Sequence, residues 1–104
     1  MAEVIVNPGI CGFKSTITVV TEDMQMANVE ISTECPNIKQ MENELKDIDC
    51  LGECFSKIGT SRVYKVAEKY CKHIACPVPA AIIKGLEVAC GLALPKDVEI
   101  KINM

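Results

Sequence analysis

The apolar residues of this chain change their period about a third of the way along, and the change separates two kinds of structure. Val4-Ile5-Val6 is a β-branched run that stops at Asn7-Pro8-Gly9, a strong turn signal. Ser15-Thr16-Ile17-Thr18-Val19-Val20-Thr21 is again strand-like, and Glu22-Asp23 opens the next turn. In the following segment Ala27, Val29 and Ile31 share one face while Asn28, Glu30 and Ser32 share the other. Alternation of this kind predicts a three-strand meander with one wet face.

From Pro36 the spacing becomes helical. Ile38, Met41, Leu45 and Ile48 predict a helix over residues 36–48, with Pro36 suited to its first position. A loop carrying Cys50, Gly52, Cys54 and Gly59 follows. Thr60 or Ser61 can cap a second helix, running to residue 72, whose apolar stripe is Val63, Val66/Ala67 and Tyr70/Cys71. A third helix runs from Pro79 to Cys90 and is stopped by Gly91. Apolar side chains wrap most of it, leaving Lys84 and Glu87 as its wet stripe, so it is expected to be the most buried helix. Beyond Pro95, Val98, Ile100 and Ile102 alternate with Asp97, Glu99 and Lys101, which predicts a closing strand. The order βββαααβ, with strands grouped before helices, predicts an α+β two-layer sandwich. Its sheet is expected to be mostly antiparallel, with the helices on one face, and residues 1–104 form a single domain.

Composition narrows the function classes. Charge is −3, and Arg62 is the only arginine, so the basic face that a nucleic acid demands is missing. No apolar run approaches a membrane span, and the N-terminal residues lack the basic and apolar segments of an export signal. A cytoplasmic protein is expected, free of nucleic acid and membrane, with a protein partner or a second copy of itself still open. Aromatic residues make up 4% of the chain and tryptophan is absent, so the core rests on Val, Ile, Leu, Ala and Met. A bound metal would add stability to a core of that kind.

Seven cysteines change the picture most. Three precede a turn or helix-starting residue, in Cys11-Gly12, Cys35-Pro36 and Cys76-Pro77, and the one histidine, His73, lies three residues before Cys76. Thiolate ligands are commonly presented from tight turns and helix starts, where backbone N–H groups favour negative charge. Each short connection reverses the chain, so Cys11, Cys35, His73 and Cys76 should reach one end of the sheet. Cys50, Cys54 and Cys90 should reach the other. Three thiolates and an imidazole match one tetrahedral zinc ion, and three cysteines can equally hold one iron–sulfur cluster. Cys71 is the rival fourth ligand, although its place on the apolar stripe fits a small core residue. The bland alternative for the whole set is unligated thiols packed in the interior. Cys50, Cys54 and Cys90 read as core or incidental. In a reducing compartment, ligands, nucleophiles or core residues are expected ahead of disulfides.

The segments Asn7-Pro-Gly-Ile-Cys-Gly-Phe13, Glu34-Cys-Pro36, His73-Ile-Ala-Cys-Pro-Val-Pro79 and Gly91-Leu-Ala-Leu-Pro-Lys-Asp-Val98 resemble a family of short proteins of unknown function from anaerobic prokaryotes. The likeness spans nearly the full chain, and its pattern falls on Cys11, Cys35 and Cys76-Pro77. It implies a cytoplasmic location and a role for these thiols, and no activity. Cys50, Cys54, Cys71 and Cys90 stand outside the pattern.

Three function classes follow. The first is a small metal-binding domain using Cys11, Cys35, Cys76 and His73 or Cys71. The second is a partner-binding subunit with structural cysteines. The third is a thiol enzyme or sulfur carrier with Cys76 or Cys35 as nucleophile.

Overall fold

The structure is a computed structural model and describes residues 1–104. Strands β1 (Ala2–Val6), β2 (Ser15–Thr21) and β3 (Met26–Thr33) form the expected antiparallel meander. Register is set by burial: Val4 lies opposite Ile17, Ile17 opposite Ile31, and Val19 opposite Val29, so the branched residues share the core face. A slip by one residue would turn that face to water. The β2–β3 turn is held by side chains. Asp23 accepts from the Gln25 and Met26 N–H groups at 2.9 and 3.0 Å, which holds its carboxyl below the usual range.

Helix α1 spans only Pro36–Met41, followed by a 3-10 turn over Glu42–Glu44. The predicted helix through residue 48 therefore ends early. Its remaining apolar residues, Leu45 and Ile48, are fully buried, but they reach the core from outside the helix, Leu45 from the irregular position after the 3-10 turn and Ile48 from extended backbone. The competing force is the edge of β3. Its Val29 N–H donates to the Leu45 carbonyl at 2.9 Å, and the Asn28 side chain accepts from the Asp47 N–H at 2.8 Å. Further along, the Ile31 N–H donates to Glu42 at 2.5 Å and the Ile31 carbonyl accepts from Lys39 at 2.9 Å. Ile48–Asp49 then pairs with Met26 and Ala27 as a two-residue strand, β4. These contacts satisfy backbone groups that a longer α1 would leave orphaned.

Three further helices complete the fold: α2 (Cys50–Cys54), within the segment expected to be a loop, α3 (Arg62–Tyr70) and α4 (Val78–Ala89). Ser61 caps α3 as expected, accepting from the Tyr64 N–H at 3.2 Å. Glu53 adds a second cap from outside the helix, accepting from the Arg62 and Val63 N–H groups at 2.6 and 3.0 Å. Gly91, at φ 75°, ends the α4 segment in the left-handed conformation that glycine adopts without strain.

The molecule is α+β, a four-strand antiparallel open sheet in the order β1-β2-β3-β4 with its helices packed against one face. Helix α4 lies over β1 and β2, and α1 over β3. Helix α4 lies close to the sheet at Gly85, where an added Cβ would stand 2.9 Å from a Val19 methyl and 3.2 Å from a Val4 methyl. One cluster of 18 buried residues forms the core, dominated by Ile17, Val19, Met41, Ile82 and Leu86. Burying one such side chain contributes roughly 1.5–3 kcal/mol. The opposite sheet face carries Glu3, Thr16, Thr18, Asn28, Glu30 and Ser32, and is wet as the alternation predicts. No helix is long and apolar enough to cross a membrane.

The predicted closing strand is corrected. Residues 92–104 hold no strand, and Val98, Ile100 and Ile102 are exposed by 65, 76 and 88%. The fourth strand of the sheet is Ile48–Asp49 instead, because the chain after Met41 lies along β3.

Candidate functional site

Three thiols are brought to one end of the sheet, and the register explains how. Ser15 pairs with both Val6 and Thr33, so the 7–14 turn and residues 34–35 leave from the same end. There the Thr33 hydroxyl oxygen accepts from the buried Ser15 hydroxyl at 2.8 Å and from the Cys35 N–H at 3.1 Å. That junction fixes Cys35 as the residue from which α1 departs, its carbonyl accepting from the Lys39 N–H at 3.0 Å.

Cys71 arrives from α3. Its N–H closes the helix on the Ala67 carbonyl at 2.7 Å, and its backbone then turns extended at φ −80° and ψ 123°. The last turn of α3 is anchored by Glu44, which accepts from the Tyr70 hydroxyl and pairs with Lys69 at 2.9 Å. The phenol and the ammonium hold the Glu44 carboxyl below its usual range, and the same contact pushes the Tyr70 hydroxyl up. Between Cys71 and Cys76 the chain folds over the His73 carbonyl. That oxygen accepts from the Cys76 N–H at 3.0 Å and lies 3.5 Å from the Cys71 sulfur. Pro77 and α4 follow.

Cys35, Cys71 and Cys76 are all half-buried and pack against the rim of the core. The Cys76 thiol is pushed up to about 11, chiefly by burial, with the Cys71 and Cys35 thiols adding to the rise and the Val78 N–H opposing it. Thiols grouped in this way can bind a soft cation once deprotonated, or pack as an inert cluster.

The expected set of Cys11, Cys35, His73 and Cys76 is not assembled as a ligand shell. No group of three or more His, Cys, Asp or Glu is placed to hold a metal ion. Cys11 is exposed in its turn, where Gly9 and Gly12 take φ 97° and 71°. His73 is exposed too, and supplies its carbonyl to the turn. The thiol that lies beside Cys76 is that of Cys71. Because α3 ends at Tyr70 and not at residue 72, Cys71 stands just outside the helix, packed on the rim of the core with its sulfur toward the His73 carbonyl. The signal for this was the five-residue spacing from Cys71 to Cys76, with Cys76-Pro77 forcing an extended approach.

The opposite end differs. Cys50, at the start of α2, and Cys90, closing α4, are joined in a disulfide across 40 residues of sequence, with Cα atoms 6.5 Å apart. Both are buried, at 1 and 6% exposure, so the expectation of core residues holds but the expectation of unpaired thiols is corrected. Nearby, burial followed by the Glu87 and Glu53 carboxylates pushes the half-buried Cys54 thiol up to about 11. Cys54 borders a cleft of about 250 Å³ between α2, α3 and α4, with Tyr64, Ile83 and Glu87 on its walls. A second depression, of about 370 Å³, lies on the wet sheet face around Thr16, Glu30 and Ser32. Neither is lined by Cys35, Cys71 or Cys76.

Residues 2–102 match a family model described as a family of unknown function (DUF6951), and the chain belongs to that family. Comparison with curated proteins and with solved structures finds no match.

Proposed function

We propose that residues 1–104 act as one small domain that binds a soft metal through thiolates. Cys35, Cys71 and Cys76 are its inner ligands, and Cys11 or His73 supplies the fourth position. The observation that carries this reading is the meeting of three free, half-buried thiols from three different elements at one end of the sheet. A metal would displace the thiol protons and draw the three sulfurs inward by side-chain rotation, to about 2.3 Å in a zinc site. With Cys11 or His73 the set becomes four thiolates or three thiolates and an imidazole, both familiar for zinc. The three thiolates can also hold an iron–sulfur cluster.

The thiol-enzyme reading is less well supported, because a nucleophilic cysteine works as thiolate and burial drives the Cys76 thiol the other way. We place the domain in the cytoplasm, where the reducing poise would open the Cys50–Cys90 bridge and leave both sulfurs packed as core thiols.

The test is metal analysis and absorption spectroscopy of protein isolated without oxygen. About one equivalent of zinc in a colourless protein, or a brown protein containing iron, is expected. Cys35→Ser and Cys76→Ser should each lose it. Metal-free wild type, with Cys35, Cys71 and Cys76 alkylated as fast as the exposed Cys11, would refute the proposal.

A further inference from the structure

The two edges of the sheet are finished differently. The β3 edge is closed by β4, by the Leu45 carbonyl, and by Lys39, Glu42 and Lys46, whose side chains reach the Ile31 and Val29 backbone. Charged side chains laid on an edge are a device against further pairing. The β1 edge carries nothing comparable. Apart from its ladder with β2, no hydrogen bond reaches residues 2–6. Val4 is left half-buried at the margin of the core, and Ile5 is exposed on the other face.

The same chain carries an unused strand. Residues 97–102 alternate strictly, project from the end of α4 with their apolar side chains in water, and make no backbone hydrogen bond. Their one ion pair, Lys101 to Glu99 at 3.0 Å, joins residues two apart, as on one side of an extended strand.

We propose that the β1 edge of one molecule takes residues 98–102 of a second copy as an antiparallel fifth strand, reciprocally. One register satisfies every position. Ile102 falls opposite Ala2, Ile100 opposite Val4 and Val98 opposite Val6, so all three apolar residues extend the core face beneath α4. On the wet face Lys101 falls opposite Glu3, and Glu99 opposite Ile5. Sliding by two residues places Glu99 against Glu3 in one direction, and removes the charge pair in the other. Opposite charges facing across strands select a register and like charges reject it.

The donor is a second molecule for geometric reasons. Helix α4 ends beside Met24, at the end of the sheet where β1 begins. The Leu92 and Ala93 N–H groups are tied back to the Glu87 carbonyl at 2.8 and 3.2 Å. A chain leaving there runs parallel to its own β1, and in full parallel overlap Glu99 would face Glu3. Exchange between two copies gives antiparallel pairing and closes as a symmetric dimer. This inference is independent of the thiol reading.

The test is sedimentation analysis and light scattering of the full chain across a wide concentration range, with circular dichroism as the folding control. A dimer is expected. Ile100→Asp, which places a charge under α4, should give a folded monomer. Glu3→Lys or Lys101→Glu alone should weaken the dimer about tenfold, and the two together should restore it. Three results would overturn the proposal: a monomeric wild type, including one whose tail amides are protected by its own sheet; a dimer that survives Ile100→Asp; or a charge swap that restores nothing.

Discussion

The two ends of one sheet use cysteine in opposite ways. At the α4 C-terminus, Cys50 and Cys90 are buried and joined to each other. At the α4 N-terminus, Cys35, Cys71 and Cys76 are half-buried and free. The difference follows from what surrounds each group. Cys50 and Cys90 are members of the core cluster, whereas the three near-end thiols sit on its rim where helices start or stop, and stay half-buried. A buried pair can serve stability, while a rim cluster keeps the freedom to accept a ligand. Helix α4 connects the two, with Cys76 just before it and Cys90 just after it.

The largest effect that separates the ends is on stability. Cys50→Ala removes the bridge closing 40 residues and should cost about 3–4 kcal/mol in the oxidised protein. A reductant should lower the melting temperature of wild type similarly and leave the variant unmoved. The metal-free triple variant Cys35→Ser, Cys71→Ser, Cys76→Ser should stay within about 1 kcal/mol of wild type. Thermal melts with and without reductant check both. A large loss in the triple variant would make the near end structural.

Next in size is a change between the ends. Gly85→Ala sets a methyl against Val19 and Val4, and overpacking should outweigh the gain in helix propensity, for a net loss of about 1–2 kcal/mol. Because α4 spans both sites, the Cys76 thiol should also alkylate faster in this variant. Denaturant unfolding and timed alkylation measure the two effects.

The smallest effect lies away from cysteine altogether. Glu42 is held below its ordinary value of 4.5, chiefly by the Ile31 N–H, with Lys39 assisting. A carboxyl whose folded pKa is depressed stabilises the protein fully above that ordinary value, and loses the contribution as pH falls through the folded one. Glu42→Gln should therefore cost about 1 kcal/mol at neutral pH and flatten stability against pH below about 4.5. Stability measured against pH in both proteins tests the sign.

Much of this fold was legible in residue periodicity, and the failures are informative. The alternation of β2 and β3, the Ser61 cap and Gly91 at the end of α4 each rest on local chemistry, and each matches the structure. The overlong α1 had an unbroken helical period through Ile48, but the open edge of β3 claimed its second half. That competition is between distant segments and leaves no mark on either one. The closing strand had the right pattern and no partner within its own sheet, which is the motive for seeking one in a second copy. Among the cysteines, the order of turns placed Cys35 and Cys76 at the same end. It favours His73 as the companion of Cys76, with Cys71 as the rival, and does not foresee that Cys71 lies beside Cys76, because that depends on α3 stopping at Tyr70 and not two residues later. Nor could it foresee the Cys50–Cys90 bridge, which depends on a five-residue helix hidden in what reads as a loop.

The central claim is that the thiols on the rim at the start of α4 can close on one soft cation. Cobalt(II) titration of the reduced, metal-free protein tests it most directly, read by thiolate-to-metal charge-transfer absorption. A band saturating at about one equivalent, absent in the Cys35→Ser, Cys71→Ser, Cys76→Ser variant and unchanged in Cys54→Ser, is the predicted result. No thiolate band in wild type, or one that survives the triple substitution, would contradict it.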